Sequence, residues 1–194
     1  MRTARVVLAL LPTLMLAWPA LGQRGGAAPK QAPRYYEFPS SAWFKEKQEL
    51  TAPLAEALRL RPTDSLQLKL LPDFLIYGPH GIHFARMYAV NGGPHPLPVG
   101  RIDATVAGVQ LLFQVDGQWK SFATLPESYC GNSFWSDTLA ARSYLTMDVD
   151  VYQYYRGAVS TPCRIVARIG AQPAASPVFR VFLTPQQVEA LCQP

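Results

Sequence analysis

Three histidines, a loop cysteine and a set of aromatic and acidic side chains are the residues of this 194-residue chain whose types and spacing could do chemistry. His80 and His83 stand in an HxxH spacing, and His95 follows in a Pro-rich loop. Three imidazoles are a ligand set for zinc. HxxH pairs bind metal from a helix, however, and Gly78-Pro79-His80-Gly81 opposes a helix here. On a strand, positions i and i+3 point to opposite faces. These are therefore read as loop or strand histidines with local hydrogen bonds, and no metal or other cofactor is expected. Cys130, in Tyr129-Cys130-Gly131-Asn132-Ser133, could attack a substrate with a histidine as its base. A thiolate needs a positive neighbour, and the flanking residues offer none. There is no GxSxG elbow, and no Gly-rich phosphate loop follows a strand. No catalytic residue is assigned.

The aromatic and acidic residues carry more. Tyr144, Tyr152 and Tyr154 fall by period two on the outward face of one strand, with Asp148 and Asp150 between them. Phe134, Trp135 and Trp119 are expected nearby. Flat rings beside carboxylates suit a carbohydrate, whose apolar faces stack on rings while its hydroxyls bond to acids. The expected ligand-binding residues are thus Tyr144, Asp148, Asp150, Tyr152, Tyr154, Phe134 and Trp135, and the partner a carbohydrate or protein. The same residues have a plainer role. Tyrosines pack across strands on wetted sheet faces. Asp148 and Asp150 would face Arg164 or Arg168, if their strands pair, in exposed ion pairs worth roughly 0–1 kcal/mol each.

The elements that must position these residues are short strands. Eighteen prolines, about twice the average usage of roughly 5%, oppose long helices. One helical stretch runs from Pro53 to Leu60, with Thr51 as its cap and Pro62 beyond its end. Period two then takes over at Ser65–Leu71, Ile82–Val90, Arg101–Ala107 and Val109–Val115. Asp116-Gly117 signals a hairpin into Trp119–Phe122. A three-residue loop there, Asp116 to Gln118, would pair Val115 with Trp119 and keep both on the apolar side. The clearest alternation is Tyr144–Tyr152, followed by a turn at Arg156-Gly157, then Cys163–Ile169 and Pro177–Leu183. A terminal helical turn has Thr184 as cap, Pro185 at its first position and Gln187 three residues after the cap. The fold expected is mostly β: a single antiparallel β-sandwich, immunoglobulin-like or related, with short N- and C-terminal helical segments.

The N-terminus reads as an export signal over residues 1–22. Arg2 and Arg5 precede an uncharged apolar run from Val6 to Trp18, and Ala20 and Gly22 are the small residues a signal peptidase reads. The run falls short of the ~20 residues that span a membrane, and no cysteine follows it for lipid attachment. Residues 23–34 read as a flexible leader and 35–194 as the domain, soluble in the periplasm or outside the cell. Cleavage lowers the formal charge from +5 to +3, since two arginines and no acid leave. With no Lys/Arg block along the chain, nucleic acid is not an expected partner, nor is a membrane span. Export also sets the expectation for Cys130, Cys163 and Cys192: one disulfide and one free thiol. Cys130–Cys163 is the first pairing and Cys163–Cys192 the alternative; spacing does not decide between them.

Tyr129-Cys130-Gly131-Asn132-Ser133-Phe134, the alternating strand Tyr144–Tyr154, Gly157 and Thr161–Arg164, followed by Ser176 to Gln187, resemble a group of exported bacterial proteins that share a Cys-Gly-Asn-Ser-aromatic motif. The likeness covers about residues 100–190. It implies an exported β-sandwich and brings no assigned activity. The chain departs from the group's pattern at Cys163, which counts against Cys130–Cys163 as a bond of the group. The expected function is a non-catalytic binding or interaction module for a glycan or peptide. Its alternatives are a structural component of a cell-envelope complex and a hydrolase using Cys130 or a His-bound metal.

Overall fold

The computed structural model describes residues 36–37, 41–62, 65–124 and 133–193. The proposed signal and leader, and Cys130 with its flanking motif up to Asn132, lie outside these. In chain order the elements are β1 (Tyr36–Glu37), β2 (Ala42–Glu49), α1 (Ala52–Ala57), β3 (Leu66–Lys69), β4 (Leu75–Gly78), β5 (Gly81–Asn91), β6 (Leu97–Ile102), β7 (Thr105–Val106) and β8 (Val109–Val115). There follow β9 (Gln118–Lys120), β10 (Ala123–Thr124), β11 (Phe134–Leu139), β12 (Ser143–Asp150), a 3₁₀ turn at Tyr152–Tyr155, β13 (Val159–Ile169), β14 (Gln172–Ala175), β15 (Phe179–Leu183) and α2 (Pro185–Cys192).

The chain is mostly β. An eight-stranded antiparallel sheet runs β11-β6-β7-β2-β12-β5-β3, with β4 also on β5. A five-stranded antiparallel sheet runs β14-β13-β8-β9, with β15 also on β13. β1 and β10 form a separate parallel pair. Apolar residues at every second position make this arrangement, because each strand can then bury one face. Val99, Met87, Leu145, Met147 and Val149 from the large sheet share one core with Phe113, Ile165, Ile169, Val181 and Leu183 from the small one.

Both helices carry the caps read from sequence. The Thr51 side chain accepts from Leu54 N at the start of α1. At α2, Thr184 accepts from Gln187 N while the Gln187 side chain accepts from Thr184 N, closing a capping box. Leu191 of α2 joins the main core.

Three expectations need correction. The β8–β9 hairpin pairs Val115 with Gln118, not Trp119. Asp116 and Gly117 both take positive φ, 51° and 76°, so they alone close a two-residue turn whose twist matches the strands. Trp119 pairs with Gln114 and turns outward. Second, Arg101–Ala107 is not one strand: it folds back at Asp103, φ 48°, as the β6–β7 hairpin. Third, β12 does not pair with β13. It lies between β2 and β5 in the large sheet, while β13 pairs with β8, β14 and β15 in the small one. Asp148 and Asp150 therefore do not face Arg164 or Arg168 across a ladder.

Candidate functional site

Strand β12 sets where the expected aromatic and acidic residues go. Its odd positions enter the core, as the alternation requires, but its even positions are covered too. Tyr144 is buried in a second cluster with Leu58, just after α1, and Val90, and Tyr88 packs on it at a ring separation of 5.8 Å. Period two ends at Asp150, whose Oδ1 accepts from Tyr152 N and starts the 3₁₀ turn. That turn sends Tyr154 into the core, 3% exposed, with its ring stacked on Phe122 at 5.9 Å and 11°. Tyr152 packs on His83 at 4.8 Å, with Arg156 on its ring at 5.3 Å. Tyr144, Tyr152 and Tyr154 thus do not share one surface.

Phe134 and Asp148 do. The registers connect Phe134 of β11 to Ile102 of β6, Ile102 to Thr105 of β7, Thr105 to Trp43 of β2, Trp43 to Asp148 of β12, and Asp148 to Arg86 of β5. Residues in register across antiparallel strands share a face, so these six side chains form one row on the face of the large sheet turned from the core. Neighbouring strands lie about 4.8 Å apart, which puts Trp43 about 14 Å from Phe134 along the row. Phe134 is 59% and Trp43 42% exposed. The Phe134 ring lies across Gly100, where a Cβ would meet it at 3.7 Å.

At the other end of the row stands a charge cluster. Arg86 Nε and Nη2 donate to the two oxygens of Asp148 at 2.9 and 3.0 Å, a bidentate fork, and Lys45 Nζ lies 3.4 Å from Oδ2. Asp148 is 3% exposed, while the Arg86 and Lys45 side chains remain nearly half exposed. The Asp148 hydrogen bond outweighs burial and raises the pKa of Arg86. The row thus offers two rings, then cationic donors.

Trp135 belongs to the same corner but to the opposite face. It pairs with Arg101, whose guanidinium sits 4.0 Å from the Phe44 ring centre and 4.9 Å from that of Trp135. Arg101 is only 4% exposed; Asp137 lies 3.5 Å from it and 2.6 Å from Lys47 Nζ. Burial works against the Asp137 carboxylate. The Lys47 hydrogen bond, the Thr138 N–H and the Lys47 and Arg101 charges outweigh it and hold that carboxyl below its ordinary range. Trp135 Nε1 donates to Asp103 O at 3.2 Å, so the indole is fixed with 46% of its residue surface exposed.

His80 and His95 are exposed and His83 is half-buried with an enclosed, unpartnered Nε2. No group of three metal-ligating side chains occurs among the described residues. Cys163 and Cys192 are free thiols, so Cys163–Cys192 is not formed and Cys163 is bonded to no partner. Burial pushes the Cys163 thiol far up, which keeps it protonated and unreactive. Among the described residues no helix is long and apolar enough to cross a membrane.

Sequence reasoning missed Trp43. Its strand, Ala-Trp-Phe-Lys-Glu-Lys-Gln-Glu, lacks the alternation that marks the others. No protein-family model, curated protein or solved structure matches this chain.

Proposed function

We propose that this chain is an exported, non-catalytic binding module whose ligand is a glycan. In this reading residues 1–22 are a cleaved signal, and the two sheets form a β-sandwich of immunoglobulin-like or related type in the periplasm or outside the cell. It also places the chain in the exported group that shares the Cys-Gly-Asn-Ser-aromatic motif.

The observation that carries the reading is the Phe134–Trp43–Asp148–Arg86 row. Two exposed rings about 14 Å apart are spaced for non-adjacent units of one chain, not for one small molecule. Ring faces stack on the apolar faces of sugars, and the Arg86 and Lys45 donors reach hydroxyl oxygens while Asp148 fixes their positions. The row suits binding without chemistry: its Thr105 hydroxyl donates to Ile102 O, and its Asp148 carboxylate is held by Arg86 and Lys45.

A second reading has its own support. β11 is an edge strand with Phe134 exposed on one face and Trp135 on the other, which suits strand addition by a partner in an envelope complex.

A glycan array of the mature domain, repeated with Trp43→Ala, Phe134→Ala and Trp135→Ala, tests both. Glycan binding weakened about tenfold or more by Trp43→Ala and Phe134→Ala, with Trp135→Ala near wild type, supports the module. No glycan retained by the wild-type domain, or retention unchanged in both variants, overturns it. Edge-strand docking instead predicts loss of a protein partner when a proline replaces Ser136 in β11.

A further inference from the structure

The formal charge is spread along the sequence, but the fold gathers it. The charged residues in the strands of the small sheet are Lys120, Arg164, Arg168 and Arg180, all cations. Three of them share one face. Arg164 is in register with Leu112, Val166 with Gln110 and Ala175, Arg168 with Pro173, and Arg180 with Pro162. The partners of β13 on the other face, Cys163, Ile165, Ala167 and Ile169, are buried, so this is the outward one. No carboxylate pairs with Arg164, Arg168 or Arg180 among the described residues. The acid nearest in sequence to the β8–β9 end, Asp116, lies in the turn, where the Cys192 thiol faces it at 3.9 Å.

Arg164 and Arg180 are each held by a neighbour. The Arg164 guanidinium lies 4.2 Å from the Trp119 ring centre, and its enclosed Nε has no hydrogen-bond partner. Arg180 Nη1 donates to Ser160 Oγ at 3.0 Å. Arg168 is exposed. Between Arg164 and Arg168 runs a groove of about 390 Å³, floored by Val166 and walled by Gln110, Pro173 and Ala175. A second groove, of about 710 Å³, adjoins it: Ala174 and Ala175 line both. It continues to Arg61 and Lys69, which lie close enough that Arg61 adds to burial in lowering the Lys69 pKa.

We propose that this joined groove binds an acidic polysaccharide, a chain of uronate units, at a site separate from the Trp43–Phe134 row. Arginine forks match planar carboxylates, and the Gln110 amide serves hydroxyls. Arg164 and Arg168 are four residues apart on one strand, hence about 13 Å along it. That distance bridges several sugar units, so the two guanidiniums meet carboxylates on non-adjacent units of one chain. Duplex nucleic acid carries one charge per ~1.7 Å of axis and calls for denser cations. The Trp119 ring, covered by Arg164, also presents less of itself for base stacking. A recessed groove favours a chain over a flat lipid surface.

The test is titration of the full mature chain with oligogalacturonate, alongside dextran, duplex DNA and anionic phospholipid vesicles at one ionic strength. The expected result is saturable binding of oligogalacturonate that weakens as salt rises, with none of dextran. Arg168→Glu, an exposed change, should weaken it about tenfold, and Arg164→Lys less, since the charge remains. Trp43→Ala should leave this binding intact, which separates the outcome from that of the glycan row. No saturable binding of oligogalacturonate, tighter binding of DNA or vesicles than of oligogalacturonate, or an unchanged affinity in Arg168→Glu would overturn the proposal.

Discussion

β12 and β13 are both inner strands of their sheets, both alternate cleanly, and both fill the core with every second side chain. Their other faces have opposite fates. On β12 the even positions are closed off: Tyr144 by the residues around α1, Asp148 by Arg86 and Lys45. On β13 the even positions, Arg164, Val166 and Arg168, line a groove and meet no carboxylate among the described residues. Alternation reports which face is apolar. Whether the polar face stays open depends on what else the chain lays over it, and that decides which strand can bind a ligand.

Four substitutions would break or sharpen this comparison. The largest effect belongs to the shared feature, the inner faces. Leu145→Ala on β12 and Ile165→Ala on β13 should each cost about 2–5 kcal/mol in denaturant unfolding, as both are fully enclosed in one core. A loss below 1 kcal/mol in either would show that the two sheets do not share that core. On the covered outer face, Asp148→Asn should cost about 1–2 kcal/mol, because it weakens a charge-assisted fork whose cations can still reach water. Wild-type stability in Asp148→Asn would mean that β12 is not tied down by that cluster. The smallest effect is on the open face. Arg168→Ala should stay within about 0.5 kcal/mol of wild type; a larger loss would make Arg168 part of the scaffold instead of a surface open to ligand.

Much of the fold was legible where local chemistry suffices. β8, the core face of β13, and the capping box of α2 depend on spacing and on side-chain hydrogen bonds within a few residues. β2 was not legible, for a reason visible in its ladder. A register shift between Thr146 and Met147 leaves Lys45 as an extra residue opposite β12, so the face that carries Ala42 and Phe44 before the shift carries the exposed Lys47 after it. A period that slips inside eight residues cannot be read as period two, and Trp43 was lost with it. Of the candidate row, Phe134 and Asp148 are legible as site residues, but through three tyrosines that do not reach that face: Tyr144 and Tyr154 are buried, and the 3₁₀ turn carries Tyr152 onto His83.

The sequence by itself determined that the chain is mostly β, which residues of β8, β13 and β15 enter the core, and how its two helices begin. These follow from periodicity and from contacts between near neighbours. Tertiary structure alone decided strand order, and with it every long-range relation that matters to function. Pairing β12 with β2 and β5 placed Asp148 against Arg86 and Trp43. Gathering β8, β13, β14 and β15 into one sheet put Arg164, Arg168 and Arg180 on a single basic face. Charges far apart in the chain carry no mark of being neighbours until hydrogen-bond registers put them 5 Å apart, roughly the spacing of adjacent strands.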